Sequence, residues 1–222
     1  MNAEDLLQRL RELAIVPVIE IEYADDAIPL GKTLVDAGLP VAEITFRTPV
    51  AADAIARMVD NVPGLLVGAG TILSEEDVDA AADAGAHFIV SPGLNASVVE
   101  RARQRSIPII PGVTSPSEIE AARSLGLRLL KLFPAEAIGG IPLVKALSAP
   151  YPDVSFMPTG GITADTVSAW LAQPSVAACG GSWIATKDAV TGRRWEEITT
   201  KAGQAAELAA SSPRPRTAGT RA

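Results

Sequence analysis

Leu127-Arg128-Leu129-Leu130-Lys131-Leu132-Phe133-Pro134 decides the fold of this chain. A short apolar run closed by a proline reads as a buried strand. Runs of the same kind recur at 15–21, 41–46, 65–69, 87–91, 108–111, 154–158 and 176–180. Amphipathic helical patterns lie between them, at 25–37, 51–61, 75–84, 96–105, 116–125, 141–148 and 164–172. Strands that alternate with helices make βαβ units and a parallel sheet. Eight such units predict a single α/β domain, a (β/α)8 TIM barrel whose closure leaves no sheet edge. An open doubly wound sheet would carry its glycine-rich turn after the first strand. Here that strand is followed by Glu22-Tyr23-Ala24-Asp25, and the glycine pairs come late, at Gly160-Gly161 and Gly180-Gly181.

Start and stop signals support the helices. Ser74 precedes three acids, and Ser115 precedes Pro116 with Glu118 three positions on, a capping box. Thr163 before Ala164-Asp165 is read as a third N-cap. Gly38, Gly85 and Gly126 stand just past helical runs, where a left-handed residue ends a helix. Residues 1–11 alternate charge with Leu6, Leu7 and Leu10, which predicts an N-terminal amphipathic helix and not a signal peptide. The barrel is expected over 1–210, closing with a helix from Trp195. The stretch 211–222, with nothing apolar larger than alanine or proline, is expected to be a disordered tail.

Composition narrows the function. Of 222 residues, 48% are hydrophobic and 20% charged, with a net charge of −7. An acidic chain with dispersed basic residues is a poor partner for nucleic acid or for an anionic membrane. No stretch approaches the roughly twenty apolar residues needed to span a bilayer. A single cysteine, Cys179, excludes an internal disulfide. Together these predict a cytoplasmic protein. One histidine, His87, sits at the start of a strand, away from the end where barrels do chemistry, and is read as structural. One histidine and one cysteine offer no zinc constellation, and there is no dinucleotide fingerprint, so no metal and no cofactor is expected.

Lys131 inside an apolar strand is unusual, because burial strips the ammonium of solvation. Either it pairs with an acid or reaches out of the strand end, or it serves as an amine nucleophile on a carbonyl. In Val41-Ala42-Glu43-Ile44-Thr45-Phe46-Arg47 the period of two sets Glu43, Thr45 and Arg47 on one face. Parallel strands normally read as near-continuous apolar runs, so acid, hydroxyl and base facing inward point to a site. An internal ion pair of Glu43 with Arg47 or Lys131 is the structural alternative. Glu43 and Lys131 converging in a barrel would supply a base and a nucleophile, and Arg47 could hold a carboxylate bidentately. Thr71 ends Gly68-Ala69-Gly70-Thr71, where the glycines let backbone approach a ligand. Gly160-Gly161 and Gly181-Ser182 follow the seventh and eighth strands, the usual barrel site for phosphate, with backbone N–H groups and a helix N-terminus meeting the anion.

These motifs resemble a known family. Glu43-Ile44-Thr45-Phe46-Arg47-Thr48, Gly68-Ala69-Gly70-Thr71, Ser91-Pro92-Gly93, Ile110-Pro111-Gly112-Val113, Lys131-Leu132-Phe133-Pro134-Ala135-Glu136, Pro158-Thr159-Gly160-Gly161 and Gly180-Gly181-Ser182-Trp183 are similar, in this order, to the bacterial 2-keto-3-deoxy-6-phosphogluconate / 4-hydroxy-2-oxoglutarate aldolases. The resemblance spans residues 13–189. It implies a metal-free, Schiff-base-forming aldolase on a (β/α)8 barrel, acting on a small 2-keto acid and assembled as a homotrimer. It implies Lys131 as the Schiff-base lysine and Glu43 as general acid and base. Arg47, Thr71, Thr159, Phe133 and Pro92 would line the substrate pocket, and Gly160, Gly161, Gly181 and Ser182 would receive a phosphate. Some relatives carry an arginine after the first strand where this chain has Glu20, whose charge would repel an anionic substrate. A phosphogalactonate-type aldolase, a barrel isomerase using Glu43 as base and a sugar-phosphate sensor are the competing functions.

Overall fold

The computed structural model describes residues 1–212. Its strands are β1 (Ile15–Ile19), β2 (Val41–Thr45), β3 (Leu66–Gly70), β4 (Phe88–Val90), β5 (Ile109–Ile110), β6 (Gly112–Val113), β7 (Leu129–Leu132), β8 (Ser155–Pro158) and β9 (Cys179–Gly181). Six pair in the order β5-β4-β3-β2-β1-β9 and three as β6-β7-β8, all in parallel. Bridges Phe156↔Val176 and Thr159↔Gly180 join β8 to the chain around β9, and β1 pairs with β9 through Ile15↔Cys179 and Val16↔Gly180. The ring therefore closes as a (β/α)8 barrel.

One strand departs from the expected run. The fifth is broken into β5 and β6 by Pro111, which has no N–H for the ladder. Its carbonyl still accepts from Lys131 N–H at 2.8 Å, while Ile110 O accepts from Ser91 N–H at 3.3 Å. The chain thus hands its pairing from β4 to β7 across a single residue.

The helices are α1 (Ala3–Leu13), α2 (Ala27–Asp36), α3 (Ala51–Asn61), α4 (Glu75–Asp83), α5 (Ala96–Gln104), α6 (Pro116–Ser124), α7 (Gly140–Ser148), α8 (Val167–Leu171), α9 (Lys187–Thr191) and α10 (Trp195–Ser211). Asn2, Ser74 and Ser115 each close a capping box at the start of α1, α4 and α6. Thr163 is no N-cap. The eighth helix begins only at Val167, and Thr166 Oγ1 instead accepts from Thr163 N–H at 3.0 Å, closing a turn ahead of it. Four helices end alike. Leu39, Ala86, Ile107 and Leu127 each donate N–H to a carbonyl five residues back, over Gly38, Gly85, Ser106 and Gly126 in left-handed backbone.

α1 buries Leu6, Leu10 and Leu13, and Arg11 donates from Nη2 to Ser155 Oγ at 3.1 Å, at the first residue of β8. The N-terminal helix therefore lies against the end of the barrel opposite the strand C-termini. His87 accepts Val67 N–H on Nδ1 at 3.0 Å, tying the start of β4 to β3, as a structural residue should. The tail expected from Ser211 does not hold for its first two residues: Ser211 closes α10, and Ser212 is buried, its Oγ bonded to Leu208 O at 2.7 Å. Residues 213–222 lie outside the described residues.

Candidate active site

Glu43 and Lys131 are each the third residue of their strand, and both are buried, at 0% and 6% exposure. Lys131 Nζ stands 3.5 Å from Glu43 Oε1, near enough for ion pairing but too long for a good hydrogen bond. Neither carboxylate oxygen of Glu43 has a hydrogen-bond partner among the described residues. Of the two pairings weighed for Glu43, the one with Lys131 is present. A buried carboxylate without donors is costly, and its persistence marks a site. The room it occupies is made by Gly70, where a Cβ would stand 2.3 Å from Glu43 Oε1. Lys131 Nζ also lies 5.0 Å from the centroid of the Phe133 ring, a cation–π contact.

Across the ladder from Lys131 is Gly112, and a Cβ there would meet Pro92 O at 2.0 Å. Pro92 thus presses its carbonyl on the strand beside the lysine. Thr159, just past β8, is buried with its Oγ1 unpartnered, and Gly180 leaves it space, since a Cβ there would fall 2.3 Å from that oxygen. Glu43 and Thr159 are buried polar side chains inside one barrel whose hydrogen-bonding capacity the fold leaves open, and Lys131 stands beside the first.

Thr71 follows β3 in left-handed backbone, φ 61°. For a β-branched residue that is a strained conformation. It is held from both sides: Phe46 N–H donates to Gly70 O at 2.8 Å, and Ile72 N–H to Val90 O at 3.1 Å. Strain kept by surrounding hydrogen bonds is a common mark of a functional position.

Other expectations are altered. β2 ends at Thr45, so Arg47 is not on the strand face with Glu43; it lies exposed in the following turn. Thr45 is buried, but its Oγ1 donates to Ile19 O at 3.1 Å and is occupied by β1. Gly160 and Gly161 turn with φ of 100° and 82°, in keeping with a glycine loop. The five-residue helix after them starts too late for its N-terminus to meet an anion there, so loop N–H groups are what this end of the barrel offers. Gly181 ends β9 packed under Trp183, and Ser182 beyond it is exposed.

Glu20 does not confront the site as a bare charge. Lys187 Nζ lies 2.7 Å from Glu20 Oε1 and 2.5 Å from Glu22 Oε1. Hydrogen bonds to these two carboxylates hold the ammonium well above the usual lysine range. Arg193 Nε likewise donates to buried Asp26 Oδ1 at 2.7 Å, so the first and last βα loops are stitched together twice. Sequence reading missed these pairs and also the bond from Trp170 Nε1 to Glu136 Oε1 at 2.7 Å. No local pattern announces partners so far apart in the chain. Cys179 is buried and its thiol is pushed up by that burial, which makes it inert as a nucleophile.

Comparison with known proteins agrees with this geometry. The family model described as KDPG and KHG aldolase matches residues 6–201. A 2-dehydro-3-deoxy-phosphogluconate aldolase of Haemophilus influenzae is 47% identical over 197 residues, 89% of this chain and 93% of that protein. The crystal structure of the Legionella pneumophila KDPG aldolase, with pyruvate captured at low pH as a covalent carbinolamine intermediate, superposes with a TM-score of 0.85 at 38% identity, covering 89% of this chain and 96% of that one. The 2-keto-3-deoxy-6-phosphogluconate aldolase of Zymomonas mobilis ZM4 with 3-phosphoglycerate gives 0.83 at 39% identity, over 94% and 96%. The barrel, the buried lysine–glutamate pair and these matches have one conclusion: the chain belongs to the KDPG and KHG aldolase family.

Proposed function

We propose that this protein is a class I aldolase that cleaves 2-keto-3-deoxy-6-phosphogluconate to pyruvate and glyceraldehyde 3-phosphate through a Schiff base on Lys131. The same chemistry would split 4-hydroxy-2-oxoglutarate into pyruvate and glyoxylate. The observation that carries the reading is the buried Lys131–Glu43 pair at 3.5 Å, with both carboxylate oxygens otherwise unpartnered.

The ammonium gives up a proton to become a nucleophile, and Glu43 is the acceptor at hand. The free amine attacks the C2 carbonyl to form a carbinolamine, and Glu43 returns its proton to the carbinolamine hydroxyl, which leaves as water to give an iminium and a Glu43 carboxylate once more. Glu43 takes the proton of the C4 hydroxyl, the C3–C4 bond breaks, and its electron pair runs into the iminium to give an enamine. The aldehyde leaves. Glu43 returns the proton to C3, and water releases pyruvate from Lys131. A carboxylate without fixed donors can make and break these contacts without first losing a hydrogen bond of its own.

Thr159 and Thr71 offer hydroxyls to the pyruvyl end, Phe133 and Pro92 bound the pocket beside the lysine, and Arg47 folds over the substrate carboxylate from its exposed turn. Gly160, Gly161, Gly181 and Ser182 receive the phosphate. The active assembly is a homotrimer.

Incubation with pyruvate and sodium borohydride, followed by intact mass and peptide mapping, tests the reading. A reduced pyruvate adduct on Lys131 is expected. A folded protein with no adduct removes the Schiff-base mechanism and leaves an isomerase or a sugar-phosphate sensor.

A further inference from the structure

Glu136 has no part in the mechanism above. It lies on the segment that leaves β7 after Lys131, and it is tied at three levels to the loop that leaves β8. On the backbone, Ala135 N–H donates to Thr159 O at 2.8 Å and Glu136 N–H to Gly160 O at 3.1 Å. Along the side chain, a Cβ on Gly161 would stand 2.7 Å from Glu136 Cβ and 2.9 Å from Cγ. The place where Gly161 has no side chain is thus filled by the stem of Glu136. At the far end, Trp170 Nε1 donates to Glu136 Oε1 at 2.7 Å, and Trp170 is fully buried. The carboxylate is therefore held by a fully buried ring, and its stem is pressed on the glycine.

Two glycines in left-handed backbone have little of their own to fix them. A loop that must order on binding gives up affinity that a preset loop keeps. We propose that Glu136, anchored by Trp170, is a positioning residue that presets the Gly160-Gly161 turn for the substrate phosphate. The proposal rests on the reading that these glycines receive phosphate. It predicts an effect confined to phosphorylated substrates, since 4-hydroxy-2-oxoglutarate has no phosphate to present to the loop.

Steady-state kinetics on both substrates, with Glu136→Ala, Glu136→Gln, Trp170→Phe and Ser182→Ala, tests it. Glu136→Ala and Trp170→Phe are expected to raise KM for the phosphorylated substrate roughly tenfold. Turnover and KM with 4-hydroxy-2-oxoglutarate stay within about twofold of wild type, because only the uniform binding of phosphate is lost. Glu136→Gln restores wild-type behaviour, because its amide oxygen still accepts from the indole. Equal losses on both substrates, no loss on either, or a Glu136→Gln as impaired as Glu136→Ala each overturn the proposal. Where Glu136→Ala does not fold, Trp170→Phe decides. Ser182→Ala separates the two ideas. If it penalises only the phosphorylated substrate while Trp170→Phe does not, the positioning role alone falls. If neither does, the phosphate reading falls with it.

Discussion

Lys131 and Glu43 face each other inside the barrel at 3.5 Å, on strands β7 and β2 that are not neighbours in the sheet. The pair stabilises the fold only as a pair. Replacing Lys131 by methionine leaves a carboxylate buried without a counter-charge, a loss of about 3 kcal/mol in such settings. Lys131→Met is therefore expected to lower stability in urea, and Lys131→Met/Glu43→Gln to recover more than half of the loss. Additive effects in this cycle would mean that the two charges do not interact. Activity follows the opposite logic: Glu43→Gln alone lowers kcat by about 10²–10⁴-fold, the usual range for a lost general acid–base.

Thr71 carries left-handed backbone that its branched Cβ disfavours. Thr71→Asn keeps a polar side chain in a residue type that tolerates this region, and should raise stability by about 1 kcal/mol. It removes the hydroxyl offered to the substrate, so KM should rise in the same variant. Opposite movement of melting temperature and affinity is the expected result. An unchanged melting temperature would show that the side chain adds no strain.

Ser106 occupies, after α5, the place that glycine holds after α2, α4 and α6. The hydrogen bonds are the same at all four ends, and Ser106 is exposed. Ser106→Gly relieves a left-handed Cβ worth about 1 kcal/mol, or about 2–4 °C in Tm for a chain of this size. Calorimetry should also show Gly85→Ser moving Tm the other way.

His87 is held below the usual histidine value by burial, which outweighs its hydrogen bond with the Val67 backbone. Above about 6.5 both folded and unfolded chains keep this ring neutral. As pH falls below that value the unfolded chain takes up a proton that the folded chain resists, so stability declines down to the lower folded value and the loss is complete beneath it. Melting curves between pH 7.5 and pH 5 should show this slope, and His87→Asn, whose Oδ1 can replace Nδ1 as acceptor, should flatten it. Identical slopes for the two proteins would remove His87 as the cause.

The sequence carries the barrel because buried parallel strands are continuous apolar runs, and those at 41–46, 65–69 and 127–133 lie within a residue or two of observed strands. Capping boxes at Ser74 and Ser115 are equally local and equally legible. Strand ends are less so. Alternation alone continues the inward face to Arg47, but the ladder stops at Thr45 because the next residues turn, and nothing in the pattern marks that stop. Pro111 does announce its break through its missing N–H, and a stricter reading of proline in a central strand finds it. The left-handed turn at Thr71 and the grip of Trp170 on Glu136 depend on residues brought together from distant segments, so neither has a local signature.

The junction of β1 with β9 fixes the order of events during synthesis. Ile15, Val16 and Pro17 leave the ribosome long before their partners Cys179, Gly180 and Gly181. Until those arrive, one side of β1 is an open edge, and Lys187 and Arg193 have not yet met Glu20, Glu22 and Asp26. A nascent chain can assemble β1 to β5 step by step, since each strand neighbours the last, but it cannot become a ring before its final strand emerges. The unfinished barrel is then the species that carries an unpaired strand, and stalling before β9 emerges leaves it exposed longest.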